Sequence, residues 1–303
     1  MRISVVINTL NEELRIERCL NSINRVADEI IVCDDGSIDS TVEIARRYTN
    51  KVFHHKSAGF VEKARNFAIS KATNPWILIL DADEEITPLL WEKLKEISEN
   101  KTVDYVLIPR KNIIFGKWIK HSGWWPDYNI RFFRKGKVIW QEKIHSQPKT
   151  SGVQFYLPAD EKFAIIHNNY STISDFLTKL NRYTNVQASE LIETGYHFNW
   201  KDLISKPMQE FLARFFLHNG YRDGVHGLIL AILQSFSMLV VYAKAWELAG
   251  SKPEEINILD FKNTVFSSFR ELKFWLFNVL ISGKSKTNQI VSKLVYKLFG
   301  RLL

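Results

Sequence analysis

The amino-acid sequence predicts an α/β fold with a mostly parallel central sheet, followed by a helical C-terminal region. Three observations carry this expectation. Over the first hundred residues short apolar runs alternate with helix-periodic stretches, the pattern of right-handed βαβ units. The run Trp76–Leu80 is apolar throughout, as strands buried on both faces are. Beyond about residue 170 the strand pattern gives way to helical periodicity.

Each element has a local reason. Ile3–Ile7 is the first strand, and Asn11–Ile23 the first helix, with Leu14, Cys19, Leu20 and Ile23 on its apolar face. Glu29–Cys33 is a strand ending in Asp34-Asp35-Gly36-Ser37. A second helix covers Ser40–Tyr48, with Ser40 or Asp39 as its N-cap. Lys51–His55 is a short third strand, and Val61–Ala72 a third helix faced by Ala64, Phe67, Ala68 and Ala72. After Trp76–Leu80, Thr87 as N-cap and Pro88 at the first helical position open a fourth helix. Tyr105–Pro109 is a further strand. Asn129–Phe133 and Val138–Trp140, separated by Arg134-Lys135-Gly136-Lys137, read as a hairpin. Ala164–Ile166 is another strand, and His167 at its end reads first as a structural residue, with lining the site from the far side as the alternative.

Composition narrows the class. Hydrophobic residues at 46% and charged residues at 24% fit a chain that buries a core, which argues against disorder. Cys19 and Cys33 have no CxxC partner or histidine cluster, so neither a disulfide framework nor a zinc site is expected. Met1-Arg2 leads directly into a strand-like run too short for a signal peptide, which implies a cytoplasmic protein. The net charge of +8 is uneven. Residues 1–199 carry 27 basic and 25 acidic side chains, whereas 200–303 carry 14 and 8. A basic excess confined to one end points to an anionic surface, and no nucleic-acid motif competes with a membrane for that role.

The C-terminal third adds to this. Leu228–Ala243 is apolar except for Gln234, Ser235 and Ser237, yet shorter than the roughly 20 residues a bilayer span needs, so it reads as a buried or interfacial helix. Phe261–Ile281 is interrupted by Arg270, Glu271 and Lys273. Ile290, Val291, Leu294, Val295, Leu298, Leu302 and Leu303 recur at helical spacing between Lys293, Lys297 and Arg301, with no acid from Lys284 onward. That is the pattern of an amphipathic helix on an anionic membrane.

The chemistry-bearing residues follow the strands. Asp81-Ala82-Asp83-Glu84 falls at the carboxyl end of Trp76–Leu80, where open parallel sheets bind their ligands. Two Asp at i and i+2 suit a divalent cation whose other positions a diphosphate fills. A solvated acidic turn is the plain alternative. Asn8-Thr9-Leu10-Asn11-Glu12 and Asp34–Thr41 also follow strands and should meet it at one sheet edge. Asp35, an acceptor when ionised, suits the N3–H of uracil, and Gly36 permits a positive φ.

Together, Thr9-x-Asn11-Glu12, Asp34-Asp35-Gly36-Ser37-x-Asp39-Ser40-Thr41, Lys63-Ala64-Arg65-Asn66 and Asp81-Ala82-Asp83 resemble the inverting glycosyltransferases of family 2, which have the GT-A fold. Gly123–Arg134 further resembles bacterial members that build lipopolysaccharide core or related surface glycans. The resemblance covers about residues 1–200. It implies a nucleotide-sugar-binding half at 1–110 and an acceptor-binding and catalytic half of the same domain at 111–200; the basic, apolar patterning makes 201–303 a helical membrane-associating region.

The resemblance also implies roles. Thr9 and Asp35 would hold the uridine, with Asn11, Glu12, Lys63, Arg65 and Asp81 around the nucleotide and Asp83 as the direct ligand of Mn2+ or Mg2+. The donor would be a UDP-sugar and the acceptor a saccharide or lipid-linked saccharide. The enzyme would sit on the inner face of the cell membrane. Asp127 is the chosen general base, in an aromatic setting of Trp124, Trp125 and Tyr128 that would raise its pKa and stack an acceptor sugar. Alternatively Asp127 pairs with Arg131. Glu142 and His145 are rival bases, and the His-Ser here, where relatives carry His-Glu, leaves His145 as a metal or phosphate ligand.

Two other classes stay open at this point. A non-catalytic nucleotide-sugar or glycan-binding scaffold would keep Asp35 and tolerate loss of the base. A phosphatase of the haloacid dehalogenase type also uses Asp-x-Asp, but Glu85 stands where it requires Thr or Val. A Rossmann dehydrogenase is excluded, since no Gly-x-Gly-x-x-Gly follows the first strand.

Overall fold

Ile3–Thr9 forms the first strand, β1, with all seven residues buried, so it lies inside a sheet covered on both faces. The computed structural model describes residues 1–55, 61–141 and 148–282, and of 61–63 and 282 the backbone alone. In order come α1 (Ile16–Ile23), β2 (Glu29–Asp34), α2 (Thr41–Arg46), β3 (Val52–His54), α3 (Val61–Ser70), β4 (Trp76–Asp81), β5 (Glu84–Glu85) and α4 (Pro88–Glu99). Next are β6 (Tyr105–Ile114), β7 (Lys117–Trp118), β8 (Asp127–Arg134), β9 (Val138–Ile139), β10 (Lys149–Thr150), β11 (Gln154–Tyr156) and β12 (Ile165–Tyr170). Four long helices follow: α5 (Ile173–Glu193), α6 (Asp202–Leu212), α7 (Val225–Leu248) and α8 (Ile258–Ser282).

The main sheet runs β3-β2-β1-β4-β8-β6-β12-β5, with β11 and β7 also on β6. The first four strands are parallel, and β8 enters antiparallel to β4. Strand alternation sorts the core. Ile3, Val5, Ile7, Leu78 and Leu80 pack against α1 and α4, while Val6, Ile77 and Ile79 pack against Ala64 and Ala68 of α3. Trp76 stacks on Phe132 at 4.5 Å, both fully buried.

Two expectations need correction. The hairpin of Asn129–Phe133 with Val138–Trp140 does not form: β8 pairs with β4 and β6, while β9 pairs with β10 in a separate two-stranded sheet. Long-range pairing of a buried strand outweighs a local turn signal. The first helix begins at Ile16 rather than Asn11, because Asn11 has a φ of +54° and the Asn11, Glu12 and Glu13 amides donate to Ser37, Thr41 and Asp39. Thr87 does cap α4, its Oγ1 accepting from the Leu90 amide.

The chain divides into two compact units. The first is Met1–Lys120 with Trp124–Thr172, and the second is His121–Gly123 with the chain from Ile173 onward. The division at Thr172 precedes the boundary expected at 200, because α5 packs on α7. In the second unit α6 also packs on α7 and α8. Glycines allow a close approach there: a Cβ on Gly227 would lie 1.9 Å from the Gly220 carbonyl oxygen. His121–Gly123 is tied in by Ser122 N to His218 O at 2.8 Å and Arg214 Nη1 to Ser122 O at 2.8 Å.

Helix α7 is longer than the apolar run that suggested it. Among the described residues it is the one helix long and apolar enough, by length and composition, to cross a membrane, and 28% of its most apolar window is buried. The amphipathic pattern over 290–303 lies outside the described residues.

Candidate active site

Strand order places a crevice at the carboxyl ends of β1 and β4, on the side of β1 away from β2, where parallel sheets bind ligands. Asn8 lies opposite Asp81 and Thr9 opposite Asp34 in the ladders. The loops after β1 and β2 are laced together. The Asp35 amide donates to Thr9 O at 3.0 Å, and the Ile38 amide to Asn11 Oδ1 at 2.9 Å. Asn11 and Glu12 therefore have a loop-locking part: their amides hold Ser37 and Thr41, and the Glu12 carboxylate pairs with Arg15. Gly36 takes a φ of +100°, which its lack of a Cβ allows. Asp35 is buried, with Oδ1 3.1 Å from His55 Nδ1. Among the described residues the Thr9 hydroxyl and both amide atoms of Asn8 are buried with no hydrogen-bond partner. Such groups cost about 1–3 kcal/mol each and cluster where ligands bind.

At the tip of β4, alternation from Ile77 and Ile79 turns Asp81 toward α3. Arg65 Nη2 on α3 donates to Asp81 Oδ1 at 2.7 Å, and Arg131 Nη2 donates to Asp81 Oδ2. Arg131 also reaches Glu84 Oε1 at 2.8 Å, and Glu84 Oε2 accepts from the Asp81 amide at 2.9 Å. Burial works to raise the Asp81 pKa, but Arg131 and then Arg65 outweigh it and hold the carboxyl well below the usual range. Burial likewise works against the Arg131 cation, and Asp81 and Glu84 reverse that, raising its pKa. Arg131 falls where the β6–β8 register shifts, and such irregularities re-aim side chains. Asp81 and Arg65, expected at the nucleotide, thus hold each other.

A polar row crosses three strands on one face of the sheet, in phase with Val106, Ile108 and Ile165. Arg110 and Asn112 lie two apart on β6; Arg110 is the ladder partner of Asp127 on β8, and Asn112 that of His167 on β12. Arg110 Nε and Nη2 donate to Asp127 Oδ2 at 2.9 and 2.6 Å. Asn112 Nδ2 reaches the same oxygen at 3.1 Å, and Asn129 Nδ2 donates to Oδ1 at 3.1 Å. This corrects two readings of Asp127. Its ion pair is with Arg110, not Arg131, because it lies on a strand where i and i+4 are far apart. Its pKa is lowered, not raised: burial pushes it up, but Arg110, Asn112 and Asn129 prevail.

The two-residue strand β5 follows Asp83 directly and pairs with β12, Glu84 opposite His167. That pairing brings His167 Nε2 to 3.5 Å from Asp83 Oδ2, both side chains about one-tenth exposed. His167 Nδ1 is 2.6 Å from Asn112 Oδ1. Among the described residues no group of three His, Cys, Asp or Glu side chains converges as a metal cage. A phosphate-bound cation does not require one: Mg2+ and Mn2+ at nucleotide sites take one or two protein ligands and fill the rest with phosphate oxygens and water. Asp83 supplies the oxygen ligand that Mg2+ or Mn2+ prefers, with the His167 imidazole beside it.

His167 was legible as the polar end of an apolar strand, but its register against β5 and β6 was not. Arg110, Asn112 and His55 were likewise missed, as was the pairing of Glu84 with Arg131. Glu142 and His145 lie outside the described residues, as does the Lys63 side chain.

The expected acceptor residues separate. Tyr128 follows Asp127 on β8, so it faces the other side of the sheet, and its hydroxyl donates to Leu157 O at 2.8 Å. It does not join Asp127. Trp124 remains beside the polar row, its carbonyl accepting from Asn112 at 2.9 Å and its ring edge-on to Tyr170. Trp125 packs edge-on to Trp118 at 5.2 Å, and Lys120 and Lys111 lie over the Trp118 ring at 4.1 and 4.6 Å.

Residues 4–155 match the family described as Glycosyl transferase family 2. An uncharacterized glycosyltransferase of Rickettsia typhi is 31% identical over 258 residues, 82% of this chain and 88% of that one. The lipopolysaccharide core biosynthesis glycosyltransferase LpsC of Rhizobium meliloti is 24% identical over 254 residues, 81% and 92% of the two chains. Among solved structures, S. aureus TarS 1–349 in complex with UDP-GlcNAc aligns at 19% identity over 79% of this chain and 82% of that one, with a TM-score of 0.44. The sheet, its acidic strand end and a family match over half its length make this chain a member of glycosyl transferase family 2, with the GT-A-type arrangement of that family.

Proposed function

We propose that this glycosyltransferase is metal-dependent and inverting, moving a sugar from a UDP-linked donor to a saccharide or lipid-linked saccharide acceptor in surface-glycan synthesis. The observation that carries the reading is the approach of Asp83 and His167 to 3.5 Å, joined through Asn112 to Asp127. Asp83 and His167 would hold Mn2+ or Mg2+, which when bound offsets the negative charge that builds on the departing diphosphate. The acceptor oxygen forms its bond to the anomeric carbon as the bond to the diphosphate oxygen breaks with its electron pair. The hydroxyl proton passes to Asp127. Oδ2 already accepts twice from Arg110 and once from Asn112, whereas Oδ1 accepts one hydrogen bond, from Asn129, so Oδ1 keeps a lone pair for the proton. An ionised Asp127 needs no prior deprotonation to act as base. Asp35 would accept from uracil N3–H. Similarity to LpsC supports an acceptor of the lipopolysaccharide-core kind.

We also propose that the enzyme works on an anionic membrane at the cytoplasmic face. Leu259, Phe266, Phe269, Leu276 and Leu280 form one exposed stripe along α8 with Lys262 and Lys273 in line. Lipid takes the apolar side chains, and each nearby cation contributes roughly 1 kcal/mol against anionic headgroups. Vesicle flotation tests it: binding to phosphatidylglycerol-containing vesicles supports the proposal, and no binding rejects it.

The catalytic reading is tested by screening nucleotide sugars with purified protein and Mn2+, scored by nucleoside diphosphate release and product anomeric configuration. Release from a UDP-sugar with inversion is expected, and lost on Asp83→Ala. UDP binding with no sugar released in any acceptor extract would instead indicate a scaffold.

A further inference from the structure

Asn112 is fully buried at the centre of the polar row, and both ends of its side-chain amide are engaged. Nδ2 carries two hydrogens and faces two acceptors, Trp124 O at 2.9 Å and Asp127 Oδ2 at 3.1 Å. Oδ1 carries none and faces His167 Nδ1 at 2.6 Å. Turning the amide over would set its oxygen against a carbonyl and a carboxylate, two acceptors with no hydrogen between them. The orientation is therefore dictated by the neighbours.

That orientation has a chemical consequence. An oxygen opposite His167 Nδ1 requires Nδ1 to carry the proton. In the neutral ring Nε2 is then bare, with its lone pair directed at Asp83. A bare Nε2 and a carboxylate oxygen 3.5 Å apart can share one cation, which takes the place of the proton that would otherwise pair them.

We propose that Asn112 is a positioning residue that couples the two halves of the reaction: it fixes His167 as a cation ligand through Oδ1 and orients Asp127 toward the acceptor through Nδ2. This rests on the cation site proposed above. The two functions use opposite ends of one amide, so they can be separated by substitution. Asn112→Asp keeps an oxygen for His167 Nδ1–H, the arrangement that orients many metal-bound histidines, but loses the donor to Asp127 and sets two carboxylates against each other. Asn112→Leu loses both ends.

The experiment is direct Mn2+ binding by electron paramagnetic resonance in the presence of UDP, with turnover measured in parallel on full-length protein. Asn112→Leu should bind Mn2+ about 10- to 100-fold more weakly than wild type. Asn112→Asp should hold Mn2+ within a few-fold yet lose kcat by about 100-fold or more, with the donor KM nearly unchanged. Wild-type affinity in a folded Asn112→Leu protein, or equal loss of Mn2+ by both variants, overturns the coupling and leaves the cation site standing. No Mn2+ binding by the wild type overturns the cation site itself, and the coupling with it. Should Asn112→Leu fail to fold, nitrogen-15 chemical shifts of the wild-type ring decide, with His167 assigned through a His167→Gln control. In metal-free protein at about pH 9, well above the ordinary histidine range, the Nδ1–H tautomer is expected; the Nε2–H tautomer overturns the proposal.

Discussion

Arg110 and Asp127 are ladder partners on neighbouring strands, and the guanidinium donates twice to a single carboxylate oxygen, at 2.9 and 2.6 Å. The pair explains how a partly buried carboxylate stays ionised. Burial pushes its pKa up, and Arg110 is the largest influence in the other direction. Arg110→Gln should therefore raise the Asp127 pKa and move the acid limb of the kcat/KM profile to higher pH. Asp127→Asn should cut turnover by about 100-fold or more at every pH. A limb that does not move in Arg110→Gln would mean that another group sets it.

Arg131 is buried between Asp81 and Glu84. Arg131→Met leaves the buried Glu84 and the partly buried Asp81 short of a counter-charge, and should cost about 3–5 kcal/mol in urea unfolding. Adding Asp81→Asn to that variant should recover part of the loss, since one of the stranded charges is then gone. A stability change below about 1 kcal/mol in the single variant would show that Arg65 and Arg110 suffice.

Glu29 sits at the opposite end of the sheet, held by Lys51, Ser4 and Thr73. Burial acts to raise its pKa, but these partners lower it from 4.5 to about 2. A depressed folded pKa contributes stability that is present above the unfolded value and lost as pH falls through the folded one. The stability gap between wild type and Glu29→Gln should therefore be constant near neutrality and shrink between pH 4.5 and about 2. A gap that persists unchanged at the acid end would locate the effect in packing.

Asp35 is positioned by its own amide on Thr9 and by His55. Asp35→Ala should weaken UDP binding by about 10- to 100-fold, the worth of a hydrogen bond to a charged group, while Mn2+ binding to preformed UDP complexes changes little. Isothermal titration reads this directly, and an unaltered UDP affinity would remove Asp35 from the nucleotide site.

Much of the first unit is legible in the sequence. The strands at Ile3, Glu29 and Trp76, the capped helix after Thr87 and the meeting of three loops at one sheet edge follow from local periodicity and chain order. The misreadings share one physical origin. The hairpin after Asn129 and the partner of Asp127 were inferred from near neighbours in sequence, but both are set by pairing between distant segments.

The sequence by itself determined a parallel α/β sheet ending in acid, since apolar period, capping residues and Asp-x-Asp spacing are all local properties. Only the tertiary structure decided that Asp83 meets His167, that Asn112 stands between His167 and Asp127, and that Arg110 holds Asp127 ionised. Those contacts depend on strand order and register, and a one-residue slip of β12 against β6 would turn His167 to the other face.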